Sequence, residues 1–285
     1  MLNGILNVVK PAGLTSSDVV VRVRRLCNGE RTGHMGTLDP GACGVLVVGV
    51  GKSSRLFDYM LNKNKEYIAR FRFGKTTDTL DSYGKVTEES SVLPKREEVL
   101  AALPALTGEI EQVPPQYSAL KIGGRKACDM ARRGEAVEIP TRKVTVSEFL
   151  LVEQTEEDEF LFRIRCSSGT YIRSLCRDLA SALGTVGYMS ALIRTQAGAF
   201  RVEEGVTLEA LQDYGVAHFL IPPEVILADM QAFEVPETFY DRLRNGVSYA
   251  TERVGSFAVY CRGELFGIGE ASEGKLKIKT FLKDD

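Results

Sequence analysis

Asp39 stands near the middle of a segment punctuated by four glycines, residues 33–44, which reads Gly-His-Met-Gly-Thr-Leu-Asp-Pro-Gly-Ala-Cys-Gly. Glycine lets a backbone turn tightly or lets a ligand approach it closely, and the residue before a proline is driven towards an extended conformation. The apolar run at residues 45–50 predicts a buried element that anchors the segment. A carboxylate on such a loop is a candidate for acid–base or nucleophilic chemistry. The alternative is an ordinary Asp-Pro turn that joins two elements.

The other residue types that could take part in catalysis are scattered along the chain, and their spacing excludes several kinds of site. No His, Cys or carboxylate residues lie at metal-ligand spacing, and the chain has only two His, so we expect no metal site. The glycine pattern lacks the spacing of a P-loop or a dinucleotide fingerprint, so we expect no cofactor. What remains is the chemistry of one carboxylate, whose pKa a neighbouring arginine would lower by about 1–3 units. The candidates beside Asp39 are His34, Lys10, Tyr67, Tyr171, Arg173 and Asp78, the last of which we interpret as a turn stabiliser.

Hydrophobic periodicity predicts the elements that must position these residues. Residues 5–10 alternate loosely and predict a strand, and residues 19–26 predict a helix behind the N-cap candidates at 15–18. Residues 65–73 alternate strictly, which predicts a strand with Tyr67 on its apolar face. Residues 170–180 predict a helix that begins beside Arg173. Shorter helices are predicted at residues 56–61, 95–106 and 207–214.

Residues 110–143 are predicted to form a loop-rich insertion that mixes proline, aromatic and basic residues. Between 121 and 143 there are seven basic residues against three acidic ones. Such mixtures are typical of nucleic-acid contact loops, and the alternative is an ordinary surface excursion. The candidate RNA-binding residues are Lys121, Arg125, Lys126, Arg132 and Arg133.

The composition is that of a globular protein with an uneven charge distribution. The 285 residues are 44% hydrophobic and carry a net charge of −2, yet residues 1–75 hold twelve Lys and Arg against five Asp and Glu. Such asymmetry favours a basic face on an acidic body, although surface charges also cluster by chance. We expect neither a membrane span nor a signal peptide, and the six scattered cysteines suggest reduced thiols in a cytoplasmic protein.

Several short motifs, taken in order along the chain, carry a family resemblance. The sequence resembles the TruB-type tRNA pseudouridine synthases, which isomerise uridine 55 in the T loop of tRNA. The resemblance covers most of residues 3–230, and the order and spacing of the motifs make it specific. The motifs are Gly4 to Leu6, Lys10 to Ser16, Gly33 to Pro40, Lys65 to Tyr67, Gly74 with Thr77 to Asp81, Pro114 to Lys121, and Ser168 to Leu175.

The resemblance implies a role for each matching residue. Asp39 is the essential aspartate, which either attacks the nucleoside covalently or promotes formation of a glycal. Tyr67 stacks on the uracil and helps to remove the C5 proton, while Arg173 pairs with Asp39. The other implied roles are Tyr171 as a pocket wall, Leu192 against the base, His34 as the residue that stacks in the T loop in place of the flipped nucleotide, and Lys10 as support for the pocket wall.

The resemblance also implies the architecture and the partner. We expect an α+β protein: a catalytic domain at 1–230, on a mixed, mainly antiparallel sheet with flanking helices, and a small PUA-like β domain at 231–285. The partner is the T stem-loop of tRNA, and we expect a monomer that needs no cofactor, membrane or obligatory protein partner. Two alternatives stay open, a related synthase that acts on another RNA and a tRNA-binding folding chaperone.

Overall fold

The computed structural model describes residues 2–118, 120–133, 135 and 138–283. Its strands are β1 (Gly4–Lys10), β2 (Thr32–His34), β3 (Cys43–Val50), β4 (Lys65–Phe73), β5 (Lys75–Thr77), β6 (Val86–Glu89), β7 (Gly108–Gln112), β8 (Lys121–Ile122), β9 (Arg125–Lys126), β10 (Arg142–Gln154), β11 (Glu159–Cys166), β12 (Gly187–Ala197), β13 (Phe200–Arg201), β14 (Ala232–Val235), β15 (Tyr249–Ala250), β16 (Gly255–Cys261), β17 (Glu264–Ser272) and β18 (Lys275–Phe281). Its α-helices are α1 (Ser16–Leu26), α2 (Phe57–Leu61), α3 (Arg96–Ala102), α4 (Ala127–Arg132), α5 (Ile172–Ala182), α6 (Leu208–Tyr214) and α7 (Tyr240–Arg244).

A nine-stranded sheet forms the body of the molecule. Seven strands follow the order β1-β3-β12-β4-β11-β10-β7, while β2 pairs with β3 and β13 with β12. Strands β3 and β12 run parallel, and the other pairs are antiparallel. The prediction of an α+β fold on a mixed, mainly antiparallel sheet is confirmed.

Strand β4 lies inside this sheet, and its alternation has the predicted consequence. Tyr67, Phe71 and Phe73 point into one apolar core, whereas Arg70 and Arg72 point to the other face. Helix α5 covers that core with Leu175 and Leu179, which are fully buried. Burial of large apolar side chains against a sheet is the main force that holds such a helix in place.

Helix α1 begins where the sequence predicts. Thr15 accepts a hydrogen bond from the Asp18 backbone nitrogen, and the Asp18 carboxylate accepts one from the Thr15 backbone nitrogen, at 2.9 Å. This capping box satisfies two amide groups that an isolated helix start leaves unpaired. The apolar side of α1 packs on β1 and β3 through Val19 and Val23.

A second sheet follows in the chain, with the order β14-β16-β17-β18-β15. It is joined to the first part by an apolar cluster that contains Ile5 and Val47 together with Ile268 and Leu282. The two parts therefore share buried surface. No helix in the described ranges is long and apolar enough to span a bilayer.

Three boundaries differ from the sequence expectations. The helix predicted at 56–61 starts as 3-10 turns over Gly51–Leu56, and α2 covers only Phe57–Leu61. The helix predicted at 95–106 ends at Ala102, because Pro104 lacks the amide hydrogen that would continue it. The insertion expected at 110–143 is shorter, since β7 extends to Gln112 and β10 begins at Arg142.

Candidate active site

A cavity of about 250 Å³ opens where the Asp39 loop meets β4, β12 and the start of α5. Its walls bring together five residues singled out from the sequence, Asp39, Tyr67, Tyr171, Arg173 and Leu192. The sheet order explains the meeting, because β12 lies between β3, which follows the Asp39 loop, and β4, which carries Tyr67.

Arg173 binds the Asp39 carboxylate through an ion pair and a hydrogen bond. Its Nε lies 2.9 Å from Oδ2 of Asp39, and its Nη2 donates to Oδ1 at 3.1 Å. Only 5% of the arginine side chain is exposed, compared with 36% of the aspartate side chain. The carboxylate thus faces the cavity while the guanidinium lies behind it. A paired arrangement of this kind fixes both the position and the plane of the carboxylate.

The outer part of the guanidinium is held by other groups. Arg173 Nη1 donates to the Thr79 carbonyl at 2.9 Å, and Nη2 donates to the Tyr117 carbonyl at 2.9 Å. Asp81 adds a second carboxylate, with its Oδ2 3.6 Å from Nη1. The sequence analysis did not single out Asp81, although it belongs to the Thr77 to Asp81 motif. These contacts leave Arg173 little freedom to rotate away from Asp39.

The environment of Asp39 shifts its pKa in two opposing directions. Loss of solvent raises the pKa of the carboxyl above its ordinary value, and the charge of Arg173 counteracts this rise. The negative charge of Asp81 adds to the rise. Asp39 is therefore a more basic carboxylate than one in free solution, but it is bound by an arginine in its ionised form.

Tyr67 and Arg194 form a second pair in the cavity wall. Arg194 lies opposite Tyr67 in the β12–β4 register, and its positive charge acts on the Tyr67 hydroxyl. Burial raises the pKa of the Tyr67 hydroxyl, while the charge of Arg194 lowers it. Tyr67 is 8% exposed and Arg194 is 3% exposed, so the pair is shielded from water.

Arg194 also ties β12 to the Asp39 loop. Its Nη2 donates to the Gly36 carbonyl at 3.1 Å, and its Nη1 donates to the Thr37 carbonyl at 3.3 Å. A third bond, from Nε to the Val45 carbonyl, is 2.8 Å long. Sequence reasoning missed Arg194, because only the pairing of β12 with β3 and β4 brings it near both Asp39 and Tyr67.

Lys65 is a further buried cation in the same wall. Its ammonium donates to the carbonyls of Leu61 and Lys63, each at 2.5 Å. Burial lowers the pKa of Lys65 to about 8, and the nearby charge of Arg194 contributes to the decrease. The only signal for Lys65 in the sequence was its place in the Lys65 to Tyr67 motif.

Tyr171 and Leu192 complete the apolar and aromatic surfaces. The backbone of Tyr171 is held on both sides by the buried Gln112 side chain, through bonds of 2.8 and 3.2 Å. The Arg142 guanidinium lies 5.7 Å from the centre of the Tyr171 ring, within the range of a cation–π contact. Leu192 is 7% exposed and adds an aliphatic surface from β12.

Comparison with known proteins decides the family. A family model described as the N-terminal domain of TruB family pseudouridylate synthase matches residues 24–172. A second, the tRNA pseudouridylate synthase B C-terminal domain, matches residues 173–227. The chain belongs to the TruB family.

Relatives over nearly the whole length support this membership. The tRNA pseudouridine synthase B of Clostridium kluyveri is 38% identical, with 99% of this chain and 100% of the relative aligned. The enzyme of the same name from Pelotomaculum thermopropionicum is 42% identical, with 83% of this chain and 76% of the relative aligned. Among solved structures, a chain from a Cbf5-Nop10-Gar1 complex superposes with a TM-score of 0.72 at 25% identity, covering 99% of this chain and 84% of that one. A chain from an H/ACA RNP bound to a substrate RNA superposes with a TM-score of 0.74 at 24% identity. The superposition covers 99% of this chain and 85% of that one, which shows a shared fold.

Two residues singled out by the TruB resemblance lie outside the cavity wall in the described structure. The Lys10 side chain is fully buried, and its ammonium donates to the carbonyls of Pro11, Leu14 and Pro40 at 3.0, 2.6 and 3.1 Å. Lys10 thus braces the turn directly after Asp39 and does not face the substrate space. His34 lies in β2, five residues before Asp39, and burial lowers the pKa of its imidazole, which favours the neutral ring.

Two of the basic residues of the insertion have acidic partners close by. Arg125 pairs with Glu135 at 2.7 Å, and Arg132 lies 3.7 Å from Asp129. Arg133 is exposed, while the side chains of Lys121 and Lys126 lie outside the described part of the structure. The insertion meets the site through the Tyr117 carbonyl on Arg173 and through Ser118, which lines the cavity.

Proposed function

We propose that this chain converts uridine 55 in the T loop of tRNA to pseudouridine. The observation that carries the proposal is the Asp39–Arg173 pair, which faces a cavity walled by Tyr67, Tyr171 and Leu192. Family membership supports it, because relatives 36–42% identical are named tRNA pseudouridine synthase B. Isomerisation of a nucleoside needs a carboxylate, a shielded pocket and a proton acceptor, and this site offers all three.

The reaction requires the target base to leave the RNA stack. Enzymes that act on a base flip its nucleotide into a pocket, at a cost of a few kcal/mol, and stacking on aromatic rings offsets part of that cost. Tyr67 and Tyr171 provide rings at the cavity, and Leu192 provides an aliphatic contact. The pocket is therefore suited to a flat heterocycle that has left solvent.

Asp39 acts on the ribose of the flipped nucleotide. The bond between C1′ and N1 breaks, the uracil turns, and a bond forms between C1′ and C5. Asp39 promotes the first step either by attacking C1′ or by taking a ribose proton to give a glycal, and the same carboxylate serves both routes. Arg173 positions this carboxylate.

Tyr67 is the proposed acceptor of the C5 proton. The C5 atom loses one proton after the new bond forms, so a basic oxygen at the base is needed. Burial raises the pKa of the Tyr67 hydroxyl, and the charge of Arg194 counteracts part of that rise. The charge of Arg194 therefore makes the Tyr67 phenolate easier to form in a buried pocket that otherwise disfavours it.

The experiment incubates the purified chain with an unmodified tRNA transcript and maps pseudouridine chemically. We expect one product, at position 55. Product only outside the T loop would contradict the assigned position. Efficient conversion of a bare T stem-loop by the chain alone would argue against a synthase that needs a guide RNA or a partner protein. A tRNA refolding assay with Asp39→Asn measures any chaperone activity separately.

We infer the domain organisation and cellular context from the same observations. Residues 1–230 hold the catalytic cavity, and residues 231–285 are assigned to a PUA-like domain on the basis of the five-stranded sheet between 232 and 281. A tRNA substrate and six free cysteines support a cytoplasmic location, and we propose that the chain acts as a monomer. Size-exclusion chromatography with light scattering tests the oligomeric state.

A further inference from the structure

Tyr83 is an exposed aromatic residue beside the catalytic loop. Its relative accessibility is 66%, which is large for a tyrosine next to an active site. The ring lies against Gly41, two residues after Asp39, so closely that a Cβ atom at Gly41 would overlap it. Gly41 therefore allows the ring to approach closely the loop that carries the carboxylate.

The segment that presents Tyr83, residues 77–85, is held by its own hydrogen bonds. The Tyr83 backbone nitrogen donates to Oδ1 of Asp81 at 3.0 Å, and the Lys85 backbone nitrogen donates to Oδ1 of Asp78 at 2.8 Å. The Thr77 hydroxyl donates to the Asp81 carbonyl at 2.7 Å. We call residues 77–85 the Tyr83 loop; its shape is fixed although Tyr83 itself is exposed.

The Tyr83 loop also carries backbone strain. Leu80 has a φ of +60°, a left-handed conformation that a branched, bulky residue seldom adopts. It is kept there by a bond from the Leu80 nitrogen to the Thr77 carbonyl and by one from the Met189 nitrogen to the Leu80 carbonyl, at 3.1 and 3.0 Å. Strain that the surrounding structure maintains is concentrated at functional sites.

The strained turn connects Tyr83 to the catalytic pair. Thr79 and Asp81, on either side of Leu80, both contact Arg173, which in turn binds Asp39. The other carboxylate oxygen of Asp81 accepts the Tyr83 amide. One rigid unit therefore aligns Asp39 in the cavity and Tyr83 outside it.

We propose that Tyr83 is an RNA-binding residue whose ring stacks on the nucleobase adjacent to the target uridine. The proposal rests on the proposed function, because a neighbouring base loses its stacking partner only when the target is flipped out. Proteins that recognise single-stranded RNA cover such freed faces with aromatic rings. A ring that lies against Gly41, two residues after Asp39, and is open to solvent meets this requirement without a change in the backbone.

The test measures binding with Asp39→Asn protein, so that turnover does not intervene. Three T stem-loop RNAs are compared: an intact one, one with an abasic residue 5′ of the target and one with an abasic residue 3′ of it. Tyr83→Leu removes the ring, and Tyr83→Phe keeps it. For intact RNA we expect Tyr83→Leu to raise the Kd about ten-fold and Tyr83→Phe to leave it unchanged.

The abasic RNAs separate stacking from a general loss of structure. If Tyr83 stacks on one flanking base, removing that base abolishes the difference between the Leu variant and the parent, while removing the other base preserves it. Equal Kd values for the parent and Tyr83→Leu on intact RNA would overturn the proposal. So would an equal loss of affinity on all three RNAs.

Controls keep this outcome distinct from failure of the proposed function. Tyr214→Leu, at the end of α6, removes a tyrosine that is 73% exposed and packs against the Phe219 ring, and it should not change the Kd. If the parent protein, with both Asp39 and Tyr83 unaltered, forms no pseudouridine, the proposed function fails whatever the Kd values are. If Tyr83→Leu does not fold, the unaltered protein is photo-crosslinked to RNA that carries a 5-iodopyrimidine 5′ or 3′ of the target. A crosslink to Tyr83 at one of these positions supports the proposal, and absence of a Tyr83 crosslink at both positions overturns it.

Discussion

Arg173 and Asp39 are joined by an ion pair at 2.9 Å and a hydrogen bond at 3.1 Å, although they lie 134 positions apart in the chain. The arginine comes from the first turn of α5, which packs on the main sheet, and the aspartate comes from a loop between β2 and β3. The geometry of the reactive carboxylate therefore depends on the packing of α5 against the sheet as well as on the loop itself.

Replacing Asp39 by asparagine should abolish turnover and preserve RNA binding. The amide is similar in size and still accepts a hydrogen bond from Arg173, but it is neither a nucleophile nor a base. We expect the single-turnover rate to fall by ~10³-fold or more, with the Kd for tRNA changed by less than about three-fold. Quench-flow kinetics and filter binding measure the two quantities. Pseudouridine formation at the parent rate would contradict the role of Asp39.

Arg173→Lys should mainly lower the rate of the chemical step. Lysine keeps the charge but cannot contact both carboxylate oxygens of Asp39 while also binding the carbonyls of Thr79 and Tyr117. Loss of a preorganised charged donor typically costs about 10²–10³-fold in rate. Arg165→Lys is a suitable control, since that arginine is half-exposed and pairs with Glu66 on the sheet face. A rate loss as large in the control would show that the effect is not specific to the site.

Arg194→Gln should shift the pH dependence of the reaction. Arg194 lowers the pKa of the Tyr67 hydroxyl, so its removal raises that pKa further above the ordinary value of 10.0. If the Tyr67 phenolate accepts the C5 proton, the alkaline rise of the single-turnover rate moves to higher pH, and the rate at pH 7 falls. A purely structural role would lower the rate equally at all pH values and leave the pH of the alkaline rise unchanged. A rate profile extended above pH 10, until the rate levels off, distinguishes the two outcomes.

Lys65 should make the stability of the protein depend on alkaline pH. Its pKa is about 8 in the folded protein against an ordinary value of 10.5, so the unfolded chain binds the extra proton between these two pH values. The free energy of unfolding should therefore rise with pH in that window, by about 1–2 kcal/mol relative to Lys65→Met. Urea unfolding at pH 7.5, 8.5 and 9.5 measures the difference. A difference that stays constant or falls over this range would contradict the buried environment assigned to Lys65.

Much of the local structure follows from patterns that the chain displays directly. The alternation of residues 65–73 predicts both the strand β4 and the face that carries Tyr67, because successive side chains of a strand point to opposite sides. The Thr15 to Asp18 signal predicts the start of α1 for a similarly local reason. The end of α3 was predicted wrongly, at residue 106 instead of Ala102. The apolar pattern continues past Pro104, but the proline lacks the amide hydrogen that an α-helix needs there.

The sequence alone determined the candidate carboxylate, its arginine partner and the family resemblance, since these depend on residue types and on their order along the chain. Only the tertiary structure decided which groups surround them. Arg194 meets Tyr67 and the Gly36 carbonyl because β12 inserts between β3 and β4, and Asp81 meets Arg173 because a left-handed Leu80 turns the chain towards α5. The structure likewise places the Lys10 ammonium in the interior, where it donates a hydrogen bond to the Pro40 carbonyl and stabilises the turn after Asp39. Contacts between residues distant in the chain arise from the order of strands and the packing of helices, which local patterns do not encode.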